Sequence, residues 1–241
     1  MTASSAGGSE ADPATSGSGP ATDSTPQAEP VVPAPPAVVY QRFGAATEVL
    51  ARYAGWLAGA GQLRGLIGPR EVPRLWERHL LNCVALAELL PVGERLVDIG
   101  SGAGLPGLAI ACVRPDLRID LVESMIRRTD FLTEVVADLD LADQVRVVRG
   151  RAEDVAVVKA VGSTRFVTAR AVAPLDKLVR WTFPLLSPGG SLLALKGATA
   201  EAEVAEHAAF LRRSRAEVRG VIECGAGLID PPTRVIELVR R

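Results

Sequence analysis

The sequence predicts a doubly wound α/β domain built on a mostly parallel, seven-stranded sheet. Three observations carry that prediction. From about residue 93 onward, short runs rich in Val, Ile and Leu alternate with helical patterns, as strand–helix–strand crossovers require. Residues 95–107, RLVDIGSGAGLPG, join an apolar strand to a helix through glycines at 100, 102 and 104. The last two strand patterns, 218–224 and 234–239, have no helix between them, so the sheet ends in an antiparallel hairpin.

At 241 residues the chain accommodates one such domain with additions. Residues 1–36 are Ala, Ser, Gly, Pro, Thr and Asp with almost no apolar bulk, and are expected to form a low-complexity, disordered tail. They lack the basic and apolar regions of a secretory signal. The tail carries four acids and no base, leaving 27 basic against 24 acidic groups elsewhere, a net of +3. That excess permits an RNA partner without demanding one. Cys83, Cys112 and Cys224 are far apart and include no C-x-x-C pair. Neither a zinc site, a disulfide framework nor a radical-type iron–sulfur centre is indicated, so no metal is expected, and reduced thiols in a cytoplasmic protein are the expectation. No apolar run approaches the ~20 residues of a membrane span, so no membrane partner is expected.

The elements follow in order. Residues 37–92 read as a helical extension. Phe43, Ala46, Leu50, Tyr53 and Leu57 recur at helical spacing between about 40 and 60, where Gly55, Gly59 and Gly61 weaken and end the helix. A second helix runs from about 73 to 89 and stops before Pro91. Its first turns read PRLWERHLLNC. Arg74 and Arg78, four apart, form either a solvated face or a phosphate contact, and His79 reads as a partly buried, satisfied histidine.

Residues 93–241 form the nucleotide-type domain. Leu96, Val97 and Ile99 make the first strand, with Asp98 near its end. The glycines that follow allow positive φ and let a ligand lie against bare peptide. A helix from 107 would point its free N–H groups back at that loop. The second strand, RIDLVE at 118–123, ends in Glu123, 23 residues after Gly100, where this fold class places an acceptor for ribose hydroxyls. Ser124 is expected to cap the next helix, 125–139, which carries Arg127 and Arg128. A third strand at 145–148 leads into the acidic loop 150–154, placed to meet an adenine ring. The fourth strand is 165–170. A helix from 174 to about 186 precedes a turn at Pro188-Gly189-Gly190, then the fifth strand at 191–196 and a helix at 201–213.

Two glycine fingerprints overlap. Gly102, Gly104 and Gly107 satisfy the dinucleotide pattern G-x-G-x-x-G, but that pattern should begin where the strand ends. The strand ends at Gly100, and the run from Asp98 is D-x-G-x-G-x-G. This form is similar to the first motif of S-adenosylmethionine-dependent methyltransferases. A carboxylate such as Asp98 suits an ammonium-bearing ligand better than the pyrophosphate of a dinucleotide.

With these residues assembled, the chain resembles the RsmG (GidB) family of bacterial ribosomal RNA methyltransferases. The resemblance lies in LWERHL at 75–80, the stretch 98–107 with its GLPG, Arg114-Pro115, Arg170 at the end of the fourth strand, and ALKG at 194–197. It covers about residue 40 to the C-terminus. It implies a class I methyltransferase fold, with S-adenosylmethionine contacts on Gly100, Leu105, Ala152, Glu153 and Arg170. It also implies methyl transfer to N7 of a guanine in the decoding-region stem-loop of 16S ribosomal RNA, as free RNA or in a small-subunit assembly particle. Two departures stand out: Asn82-Cys83 replaces the Asp-Ser of many members, and the segment between Glu153 and Arg170 is a few residues longer.

The residues are consistent with that target. Guanine N7 is a free lone pair that needs alignment and no general base. Amino-nitrogen methylation calls for an Asn/Asp-Pro-Pro-aromatic clamp after the fourth strand, and 168–174 (TARAVAP) offers none. Asp230-Pro231-Pro232-Thr233 imitates that clamp but reads as a rigid turn in the terminal hairpin. Carbon-5 methylation of cytosine needs a nucleophilic thiol there, and the cysteines lie elsewhere. No catalytic acid or base is therefore assigned. Asp98, Gly102, Gly104 and Glu123 join the implied cofactor contacts, and Arg74, Arg78, Arg127, Arg128 and Lys196 are candidates for RNA, with Arg170 shared. A small-molecule methyltransferase, a nicotinamide-dependent oxidoreductase and a non-catalytic RNA-binding module are the competing readings.

Overall fold

A computed structural model describes residues 32–241. Residues 1–31 of the expected tail lie outside the described part. Residues 32–36, the last of the expected tail, belong to the described chain, and there the Pro33 carbonyl accepts a 2.7 Å hydrogen bond from the indole of the buried Trp76.

The extension begins with α1 (Ala37–Phe43) and α2 (Ala46–Trp56). The sequence pattern suggested one helix here, but Gly44 breaks it with φ +52°. Helix α2 buries Leu50, Tyr53 and Ala54 and continues through a π turn, Leu57–Gly61. The second expected helix is continuous but irregular: a 3₁₀ turn at Val72–Arg74, a π-helical stretch at Leu75–Leu80, α3 (Leu81–Ala85) and a closing 3₁₀ turn at Leu86–Leu89. The wide π stretch contains Arg78 and His79, and such turns recur at functional positions. Arg114 clamps the far end. Its Nη1 donates to the carbonyls of Ala87 (2.8 Å) and Leu90 (3.0 Å), and its Nη2 to that of Pro91 (3.1 Å). Acceptors that a helix end leaves open are thereby met. This is the structural reason for the Arg-Pro turn.

The domain proper consists of β1 (Arg95–Ile99), α4 (Gly107–Val113), β2 (Arg118–Glu123), α5 (Ile126–Asp138), β3 (Val145–Arg149), α6 (Val155–Val161), β4 (Thr164–Arg170), α7 (Leu175–Thr182), β5 (Leu186–Lys196), α8 (Ala200–Arg213), β6 (Ala216–Cys224) and β7 (Thr233–Arg240). The seven strands lie in the order β3-β2-β1-β4-β5-β7-β6, parallel except for β7, which runs antiparallel to both neighbours. Alternation within strands sorts side chains between two cores. Leu96, Ile119, Leu121 and Leu193 pack with the extension, α4 and α5, whereas Val97, Val122, Leu192 and Ala194 pack with α6, α7 and α8.

Three elements differ from the expected ones. Helix α6 is an addition, in a segment given no element by the sequence pattern: valines favour strand, yet Val157 and Val161 reach the core at helical spacing. Strand β5 begins earlier, at Leu186, and runs through Pro188-Gly189-Gly190 with a register shift against β4. Ser124 is not a cap. Helix α5 starts after Met125 without a side-chain cap, and Glu123 Oε1 takes the N–H groups of Ser124 (2.8 Å) and Met125 (2.9 Å) instead. The strand order reverses between β1 and β4, so a crevice opens at their carboxyl ends.

Candidate cofactor cleft

Gly100, Gly102 and Gly104 have φ of +69°, +58° and +99°. The four glycines of the loop serve different ends. A Cβ on Gly107 would lie 2.6 Å from Leu121 Cδ2, one on Gly104 would lie 2.8 Å from Leu108 Cβ and from the Tyr53 hydroxyl, and one on Gly100 would lie 2.9 Å from Val172 Cγ2. On Gly102 the nearest atom is the Gly100 carbonyl oxygen at 3.8 Å, so this position faces open space. Only Gly102 is bare on the side a ligand would use.

Two placements correct the sequence reading. Asp98 is fully buried beneath the loop and does not line the cleft; its Oδ2 accepts the Gly107 N–H at 3.0 Å, tying the strand end to the first turn of α4. Its Oδ1 has no partner among the described residues. Burial pushes the Asp98 carboxyl up to about 7, against the opposing pull of the Gly107 N–H. Gly104 is likewise turned inward, under α2. The Tyr53 hydroxyl donates to the Ala103 carbonyl at 2.7 Å, so the extension holds the loop from below.

Above the loop, two adjoining hollows share Gly100, Glu123, Ser124 and Val172. The first, about 260 Å³, is walled by Ile99, Val122, Ala152, Glu153 and Trp181. The second, about 450 Å³, is walled by Leu66, Ile67, His79, Leu105, Met125 and Arg170. Glu123 lies at their junction, 4% exposed, with Oε2 accepting the Gly102 N–H at 3.0 Å and 3.5 Å from Arg128 Nη1. The structure thus gathers Gly100, Gly102, Leu105, Glu123, Ala152, Glu153 and Arg170 around one cleft.

Arg170 is held from the extension. Its Nη2 lies 2.7 Å from His79 Nδ1 and its Nη1 donates to Cys83 Sγ at 3.1 Å. His79 Nε2 lies 2.8 Å from Glu71 Oε2. Burial and the Arg170 charge lower the His79 pKa below its ordinary 6.5, with Glu71 opposing them. The Asn82-Cys83 departure is absorbed structurally: the Asn82 side-chain oxygen accepts from the Thr233 hydroxyl at 2.9 Å, and the thiol serves Arg170. All three cysteines are free and buried.

The basic candidates divide. Arg74 and Arg127 are exposed. Arg78 is exposed and pairs with Glu71 at 3.1 Å. Arg128 contributes to the Glu123 site. Lys196 is corrected: its Nζ is committed to Glu203 (2.8 Å) and the Ala173 carbonyl (3.0 Å), a largely buried staple between β5 and α8. Tyr53, Glu71 and Val172 went unassigned in the sequence. Tyr53 is one more apolar residue in a helical stripe, and nothing local marks Glu71 as the partner of His79 or Val172 as the cover of Gly100.

A reversed parallel sheet, a glycine loop bare at Gly102 and an acid ending the second strand define an S-adenosylmethionine-dependent methyltransferase. Solved structures of that class share the fold. The glycopeptide N-methyltransferase MtfA complexed with sinefungin superposes with a TM-score of 0.54 over 68% of this chain and 87% of that one, at 13% identity. The mitomycin 7-O-methyltransferase MmcR gives 0.53 over 81% and 67%, at 20% identity. Residues 46–230 match the GidB family, rRNA small subunit methyltransferase G, and the chain belongs to that family. The ribosomal RNA small subunit methyltransferase G of Salinispora tropica is 57% identical over 203 residues, covering 82% of this chain and 83% of its own. Its namesake in Thermobifida fusca is 55% identical over 196 residues, covering 81% of each.

Proposed function

We propose that the protein transfers the methyl group of S-adenosylmethionine to N7 of a guanine in 16S ribosomal RNA, in the cytoplasm, as free RNA or a small-subunit particle. The names of its relatives support an RNA substrate. The observation that carries the choice of atom is the chemistry of the second hollow. His79, the side chain there most suited to act as a base, has both ring nitrogens engaged, and Glu123 is already bonded to backbone N–H groups. Such a hollow can align a guanine N7, which has no proton to lose, but offers no free base among the described residues for an amino or hydroxyl target.

The cleft fits the cofactor in donor chemistry: a glycine open to solvent at Gly102, a carboxylate at the junction of two hollows, and apolar walls on both sides. Gly102 offers bare backbone to its amino-acid part beside Gly100, which lines both hollows, Glu123 accepts from its ribose, and Ala152 and Glu153 border its adenine. When bound, S-adenosylmethionine supplies an electrophilic methyl group on its sulfonium. Leu66, Ile67, Leu105 and Met125 exclude water from the reacting side, and Arg170 supplies fixed donors there. Asp98 and Gly104 act from beneath, by holding the loop in shape. Arg74, Arg78 and Arg127 contact RNA phosphates. The functional unit is residues 93–241 completed by the extension 37–92.

The test is methyl transfer from labelled S-adenosylmethionine to 16S RNA and to assembled small-subunit particles. The modified base is mapped by the strand scission that N7-methylguanine undergoes after reduction and aniline treatment. One scission site at a guanine is expected, and a label on any other atom overturns the assignment. In parallel, Arg74→Ala and Arg127→Ala, at exposed positions outside the chain that holds Arg170, should each reduce the salt slope of RNA binding by about one while leaving cofactor affinity unchanged.

A further inference from the structure

Glu71, His79 and Arg170 form one hydrogen-bonded chain from the extension to the end of β4. A guanidinium can only donate, so His79 Nδ1 accepts from Arg170, and the ring proton sits on Nε2, facing Glu71 Oε2 at 2.8 Å. The tautomer is fixed from both sides. Glu71 is fixed in turn, its other oxygen taking Arg78 Nη1 at 3.1 Å. β4 positions only the backbone of Arg170. The groups that hold its guanidinium all belong to the extension: His79 Nδ1, Cys83 Sγ and, at 3.4 Å, the Arg78 carbonyl. His79 and Arg170 both line the second hollow.

We propose that His79, oriented by Glu71, is the positioning residue that aims Arg170 into the second hollow, so that the helical extension completes the methyltransferase site. The inference rests on the placement of Arg170 against bound ligand given above. It makes the site pH-sensitive in one direction. A protonated His79 donates from both nitrogens, loses the Arg170 bond and sets a second positive charge against the guanidinium. The charged groups facing the ring are Glu71 and Arg78 from the extension and Arg170 from β4, while burial raises the Cys83 thiol and keeps it neutral. Because burial and Arg170 lower the ring's pKa, the aligned state holds at neutral pH and fails only on the acid side.

The experiment uses the full chain. Calorimetry with S-adenosylmethionine and methyl transfer to 16S RNA are followed between roughly pH 5 and 8 for the wild type, Arg170→Ala, His79→Ala, His79→Asn and the double alanine variant. The single alanine variants should each lower kcat/KM by about tenfold, the factor a charge-assisted hydrogen bond typically carries. The double variant should fall no further than Arg170→Ala, because both changes remove one interaction. His79→Asn, whose side-chain oxygen can replace Nδ1 as acceptor, should recover most of the activity and lose the acid-side decline of the wild type. A merely structural histidine would change the melting temperature and leave that pH profile intact. Additive losses, or an unchanged acid limb in His79→Asn, overturn the proposal. Should His79→Ala not fold, His79→Asn and Arg170→Ala still decide it. Wild-type activity and cofactor affinity in Arg170→Ala overturn the placement of Arg170 and the proposal with it, whereas a defective Arg170→Ala beside a normal His79→Ala overturns the His79 link alone.

Discussion

Between residues 100 and 107, four glycines meet different constraints, and substitutions should separate them. Gly107→Ala drives a Cβ against Leu121 and Asp98 in close-packed surroundings, and should cost about 1–3 kcal/mol in denaturant unfolding. Gly102→Ala meets no neighbour and bears only the strain of its φ of +58°, about 1 kcal/mol, yet calorimetry should show cofactor binding lost. Normal binding by Gly102→Ala would make the loop a turn and nothing more. Asp98 gives a pH signature. Its folded pKa of about 7 lies above the ordinary 3.8, so the folded state binds the proton more tightly. That contribution to stability is complete below about pH 4 and is lost as pH rises through about 7. Asp98→Asn keeps an oxygen for the Gly107 N–H and has no charge, so its denaturant midpoint should lack that decline. An identical pH profile in the two proteins would show that the carboxyl is not burdened by its burial.

At the scale of elements, the extension works as the underside of the loop and the side wall of the cleft. Tyr53 reaches the Ala103 carbonyl, Arg170 is gripped from the π stretch, and Arg114 fastens the last turn through three carbonyls. Arg114 is partly buried, and Asp116 holds its charge through paired 2.8 Å bonds. Arg114→Ala should therefore cost about 1–3 kcal/mol and speed amide exchange in the Leu86–Leu89 turn, with β1 and β2 unchanged. Uniform acceleration would mean that the clamp serves the whole fold. What the sequence conveyed follows the same scale. Strand–helix alternation, the carboxyl-edge loop and the terminal hairpin are legible because burial on one or two faces writes a period into the chain. The orientation of Asp98 was legible in principle: it shares a face with Leu96, which packs toward the extension rather than the cleft. Helix α6 was not, since its valines favour strand and only tertiary burial of Val157 and Val161 makes it helical. The partners of His79, Lys196 and Arg128 were not legible either, because each lies on another element, brought near only by the fold.

For the whole molecule, the sheet divides the interior into two cores, and only the one on the extension side reaches under the glycine loop. The chain enters that core at its N-terminal end. The Pro33 carbonyl accepts from the indole of Trp76, which is 3% exposed, and the Pro36 carbonyl accepts the Val39 N–H at 2.9 Å as α1 begins. Two truncations should therefore behave differently. Removing residues 1–31 takes away polar, apolar-poor sequence and four acids, and should leave melting temperature and methyl transfer unchanged. RNA affinity at low salt should stay equal or rise slightly, since only negative charge is lost. Removing residues 1–36 also takes the acceptor from a buried indole. An unmet buried donor costs about 1–3 kcal/mol, which lowers the melting temperature by roughly 2–12 °C in a chain of this size. Replacing Trp76 by Phe in the full chain removes that donor as well as its bond, so the loss caused by the longer truncation should shrink in the Trp76→Phe background. If the shorter truncation already lowers stability or turnover, residues 1–31 take part in the enzyme. If the two truncations melt alike, the Pro33–Trp76 bond contributes nothing to holding the extension in place.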